Sequence, residues 1–163
     1  MQNIDDLKRI KLDVREDIKN GADPFKKIME AVNKLKDGEA LDLINRLSEI
    51  TAFMDKDLEI HFKREEEALF PVLGNYIGVE TGPINVMLIE HNNCRDLSAG
   101  FKVKINGYRS DKNYKALADA GNSLSRLLSE HEDKEDHILF NMAQMHLTQD
   151  EKHNIMEKIL SIN

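Results

Sequence analysis

The sequence is poor in nearly everything that builds a sheet or a crosslinked fold. Tryptophan is absent, aromatic residues make up 6% of 163, and there are only 3 prolines and 8 glycines. All-β chains use aromatics and turn formers generously, so their scarcity points to helices. A single cysteine, Cys94, excludes an intramolecular disulfide framework and a cysteine-based zinc site. Apolar runs are only a few residues long, too short to span a membrane. No apolar segment opens the chain as a secretion signal does, so the expected compartment is a reducing cytoplasm. A formal charge of -7 argues against nucleic acid and anionic membrane surfaces, where basic patches supply most of the attraction. Acidic chains can still bind cations. Histidine is missing before residue 61 and then occurs six times.

What is there suits one globular domain over residues 1–163, with 33% charged and 40% hydrophobic residues. The punctuation predicts successive helices. Ile4 to Asn20 stops at Gly21; Asp23 and Pro24 then open a second piece through Leu35, as an N-cap followed by a first-turn proline. A turn at Asp37-Gly38 precedes a long helix from Glu39 to Val72, with Pro71 as its terminator, and residues 74–83 read as a loop. Further helices are expected over Ile84–Ile105 and Tyr114–Met145, separated by a turn at residues 106–113. Thr148 to Glu151 matches a capping box and starts a terminal helix that ends near Leu160. The expected architecture is an all-α bundle of long antiparallel helices joined by short turns.

The chemistry lies where the core should be. An inward helix seam carries apolar residues at spacings of three and four. The first long helix gives Leu43, Leu47, Ile50, Met54 and Leu58, then His61 and Glu65, then Ala68 and Val72. The second gives Ile84, Met87, His91, Cys94, Ser98, Phe101 and Ile105. The third gives Leu117, Gly121, Leu124 and Leu128, then His131 and Glu135, then Ile138, Met142 and Met145. Residues four apart differ by roughly 40° around a helix, so each His-Glu pair projects from one face. Asp and Glu fill 30 of 163 positions, so one such pair arises by chance for roughly one histidine in five. Here HFKREEEALF (61–70) and HEDKEDHILF (131–140) align over the His, the base, two acids and Leu-Phe. Buried carboxylates are costly unless paired or bound to a cation. Imidazole with shared carboxylate suits iron, manganese or zinc. The competing reading is a metal-free core of His-Glu hydrogen bonds.

Three segments, HFKREEEALFP (61–71), GPINVMLIEH (82–91) and HEDKEDHILFNMA (131–143), resemble the signatures of the hemerythrin-like, or HHE cation-binding, family. The resemblance implies an up-down four-helix bundle with additional short N- and C-terminal helices, residues 1–36 being a divergent helical segment. It also implies a non-haem pair of iron ions, with manganese or zinc as substitutes. His61, His91 and His131 are then terminal ligands, Glu65 and Glu135 bridge the ions, and O2 or NO is the expected small ligand. Implied alternatives are an iron-centre repair enzyme or a peroxide- or NO-handling enzyme at the same site, or a metal-free interaction module. Two departures stand out. Oxygen carriers of the family have a second histidine one turn after the third-helix histidine, where this chain has Arg95, so the resemblance leans towards repair proteins and iron or oxygen sensors. The family's first-helix histidine is also absent. Counting back from the Asp37-Gly38 turn makes Asp13, Glu16 or Asp17 the candidates for its place, or Glu30 if the first helix starts at Pro24.

The remaining candidates read as structural. His137 is roughly 240° from His131 and should face outward, while His146 and His153 are expected in solvent. Cys94 reads as a buried inert thiol, and Met54, Met87, Met142 and Met145 as packing. Leu58, Phe62, Leu69, Ile138 and Leu139 flank the two cassettes and are expected to exclude water. Tyr76, Tyr108 and Tyr114 fall in or beside turns.

Overall fold

The structure, a computed structural model, describes residues 40–111 and 113–163; the expected first helices, with Asp13, Glu16, Asp17 and Glu30, lie outside them. All the secondary structure among the described residues is helical, with no strand. Helix α1 covers residues 40–77 and is interrupted by two wide π turns, Met54–Leu58 and Glu65–Leu69. Helix α2 is Pro83–Asp111. Helix α3 covers residues 114–146, with a π turn at Glu135–Leu139. Helix α4 is Gln149–Ser161. No helix among the described residues is long and apolar enough to cross a membrane.

Side-chain pairings set the directions. Asp55 meets Lys102, Glu59 meets Arg95 and Glu65 meets His91, so α1 and α2 are antiparallel. Helix α3 packs along α2, with Glu90 of α2 meeting His131 and Lys134 of α3. Asn113 caps α3 by accepting a hydrogen bond from the Ala116 N–H. Thr148 opens α4 with the expected capping box, closed reciprocally by Glu151. Tyr76 on α1 donates to Glu151, and Arg64 donates to the Ile162 carbonyl, so α4 runs antiparallel to the second half of α1.

Two apolar clusters fill the interior. One contains Leu47, Ile50, Met54, Leu58, Phe101, Leu117, Leu124 and their neighbours. The other contains Leu69, Leu73, Ile84, Met87, Leu139, Ala143 and, from α4, Ile155 and Ile159. Every expected seam residue of α2 is buried. That helix continues past the expected turn because Tyr108 extends the seam by three residues beyond Ile105 and is itself 1% exposed. Tyr108 is thus a core residue rather than a turn residue.

Other departures share one cause. A π turn takes up an extra residue, so the inward face moves on by one position after it. In α3 the seam passes from Glu135 to Leu139 and Ala143, both 0% exposed, while Ile138 is 44% and Met145 78% exposed. Ile138 therefore does not shield the site, and Met145 does not pack in the core. In α1 the buried set is Ala68, Leu69, Phe70 and Leu73, with Val72 only half-buried. Pro71 does not end α1. It sits just after the wide turn, where hydrogen bonding is already changing register and a missing N–H is best tolerated. The helix ends instead at Gly78, whose φ of 78° suits glycine.

Candidate metal centre

Between the two apolar clusters lies a buried layer of polar side chains. His61 and Glu65 come from α1, His91 from α2, and His131 and Glu135 from α3; each is at most 5% exposed. His61, Glu65, His131 and Glu135 each offer a ligand atom within 4.8 Å of the others, a group that could hold a metal ion. His91 joins through Glu65, its Nε2 lying 3.0 Å from Oε2. His61 Nε2 is 3.3 Å from Glu135 Oε1 and 3.8 Å from Glu65 Oε2, and His131 Nε2 is 3.5 Å from Glu135 Oε1. Both glutamates stand at the start of π turns, and the carbonyls of Glu65 and Glu135 accept five residues on, from the N–H groups of Phe70 and Phe140. The repeated cassette in the sequence is thus a repeated backbone distortion.

The donor atoms that converge here are orphaned. Seven buried side-chain nitrogen or oxygen atoms have no hydrogen-bond partner among the described residues. Six belong to this layer: five converge, both oxygens of Glu65, His91 Nε2, His131 Nε2 and Glu135 Oε1, while His61 Nδ1 lies on the ring side away from the carboxylates that its Nε2 meets. Leaving a buried polar group unpaired costs about 1–3 kcal/mol, and more for a charged one. Imidazole nitrogens and carboxylate oxygens in this number fit transition-metal coordination, and a cation would satisfy them together.

Electrostatics reflect the crowding. Burial, and then the Glu135 charge, holds the Glu65 carboxyl well above the usual carboxylate range. Burial would raise Glu135 too, but Glu65, His61 and His131 facing it outweigh burial and hold it well below that range. Of the two facing carboxyls, Glu65 is therefore the one that more readily holds a proton. Burial disfavours the charged forms of His61 and His131, yet the neighbouring carboxylates prevail and raise both.

Sequence reasoning overlooked the residues behind this layer. His91 Nδ1 donates to Glu66 Oε1 at 2.7 Å, and His131 Nδ1 donates to Glu90 Oε2 at 3.0 Å. Arg95 reaches both oxygens of Glu66, at 3.0 and 3.2 Å, and both of Glu59, at 2.9 and 3.0 Å. Lys134 donates to the other oxygen of Glu90. Glu66 is the second aligned acid of the first cassette and Glu90 directly precedes His91, but sequence adjacency says nothing of which ring each would meet across helices. Phe62 stacks on His91 with ring centroids 4.0 Å apart, and Phe70 lies on the same ring at 5.7 Å. Leu58, Phe62, Leu69 and Leu139 are buried around the layer, as expected.

The other histidines stay outside. His137, His146 and His153 are exposed. Cys94 is buried, and burial pushes its thiol up to about 12, which makes it a poor nucleophile. The family model of the hemerythrin HHE cation-binding domain matches residues 16–143. No curated relative matches the chain.

Proposed function

The chain belongs to the hemerythrin HHE cation-binding family, and we propose that it is a non-haem di-iron protein that binds or senses O2, NO or iron. The observation that carries this reading is the convergence of five unpartnered buried donor atoms from α1, α2 and α3, beside His61 Nε2. His61, His91 and His131 would be terminal ligands, and Glu65 and Glu135 the shared carboxylates. An iron pair so held would supply redox-active Lewis acidity and coordination positions that the protein leaves free for a small ligand. The chain's own residues do the rest. Phe62 and Phe70 hold the His91 ring between them, while Leu58, Leu69 and Leu139 exclude bulk water and so tune ligand access and potential. The family's up-down four-helix bundle is part of the same reading.

Elemental analysis of protein purified from iron-supplied cells tests it. We expect two iron ions per chain and a thermal midpoint that rises on metal loading. In Glu65→Gln the metal is expected to be lost, with the metal-free stability changing by no more than about 1 kcal/mol, because burial and the Glu135 charge already favour the neutral form that glutamine mimics. A folded wild type without metal overturns the reading. A metal-free interaction module would instead leave both proteins insensitive to added iron.

A further inference from the structure

Three imidazoles face the centre, but they are not held alike. His91 is tied at Nδ1 to Glu66, whose two oxygens are gripped by Arg95, itself braced on Glu59. His131 is tied at Nδ1 to Glu90, which Lys134 holds from the other side. His61 Nδ1 is buried and has no partner among the described residues. A carboxylate can only accept, so in the first two rings Nδ1 carries a proton and Nε2 is the nitrogen left facing the interior for a metal. Both of those Nε2 atoms are among the unpartnered donors.

Resting on the metal reading above, we infer that Glu66 and Glu90 are positioning residues for the centre. Each fixes one imidazole in the tautomer and orientation a metal requires, and Arg95 and Lys134 hold the two carboxylates in place. Arg95 therefore occupies the sequence position of a ligand in oxygen carriers while acting one shell further out. His61 is the unanchored imidazole. Carboxylates behind metal-ligating histidines typically contribute 10- to 100-fold in metal affinity.

The test uses the full chain, stripped of metal and then loaded with zinc. Nitrogen NMR of labelled histidine reads the tautomers, and competition with a chelator reads affinity. We expect His91 and His131 as Nδ1–H tautomers in the loaded protein. Glu66→Ala releases only His91 and Glu90→Ala only His131, each weakening zinc binding about 10- to 100-fold. Glu66→Gln and Glu90→Gln keep an acceptor, so they retain the tautomer and most of the affinity. Should Glu90→Ala fail to fold, Lys134→Met probes the same anchor and is expected to lower affinity several-fold. Zinc binding by the alanine variants as tight as wild type, or unchanged tautomers in them, overturns the inference. A folded wild type that takes up no zinc overturns the metal reading and this role with it.

Discussion

Glu65 and Glu135 face each other in a buried core, where a proton or a cation relieves the repulsion between their charges. This sets opposite pH responses for the metal-free and loaded protein. Relative to ordinary values of 4.5 and 6.5, Glu65, His61 and His131 are all raised in the fold. A raised group contributes stability that is fully present below its unfolded value and lost as pH rises through its folded one. The stability of metal-free protein should therefore fall as pH rises above 6.5 through the raised imidazole values, with Glu65 acting in the same direction. On the acid side Glu66 has the reverse sign. Burial raises it, but the hydrogen bonds from His91 and Arg95 prevail and bring it down to about 2, so its contribution is lost only as pH falls from 4.5 towards that value. Metal binding requires Glu65, His61 and His131 to give up their protons, so metal affinity should rise with pH. Denaturation midpoints across pH, with and without zinc, check this. The two curves should diverge above 6.5, and parallel curves would contradict the assignment.

At the scale of the element, the π turns decide which residues face inward. The turn at Glu135–Leu139 holds one residue more than an α turn, and Ile138 is exposed within it. Deleting Ile138 should convert this turn to α-helix while leaving Leu139 and Ala143 on the inward face. Deleting exposed Asn122, in an uninterrupted part of α3, should instead rotate part of the helix face by roughly 100°. Thermal unfolding followed by circular dichroism should show a much larger loss of stability for the second deletion. The first should keep its helix content but lose metal affinity, because Glu135 begins the turn. The spacing of His61 to Glu65 and of His131 to Glu135 was legible because each pair lies within one α-helical turn, where a period of 3.6 holds. The seam beyond each pair was not, because a change from bonding at four residues to bonding at five leaves no mark that periodicity can detect. That is why Met142 and Met145 read as core when Leu139 and Ala143 are.

Over the whole molecule, α4 closes the end of the bundle nearest the 78–82 loop and pins the Ile162 carbonyl to Arg64, the residue just before Glu65. Ile155 and Ile159 are 1% and 2% exposed in the cluster directly below the centre. Ile159→Ala should cost about 2–5 kcal/mol, read as a lower denaturant midpoint at unchanged slope. Because that cluster supports Leu69 and Leu139, weaker metal retention should accompany it, and full retention at reduced stability would show the centre to be independent of α4. The residues His61, Glu65, His91, His131 and Glu135 were all legible from sequence, because a carboxylate or imidazole on an apolar seam is conspicuous at helical spacing. Their convergence on one layer required the antiparallel packing of α1, α2 and α3. Glu66 and Lys134 belong to the aligned cassettes and Arg95 stands out in the sequence, yet nothing there shows that they and Glu90 hold the ligand rings, since charged residues abound in a chain that is one-third charged. Only the tertiary structure gives them their partners, because a hydrogen bond between helices depends on relative register and rotation. Sequence by itself determined which side chains would be forced into the core; the packing of the helices decided which neighbours would hold them there.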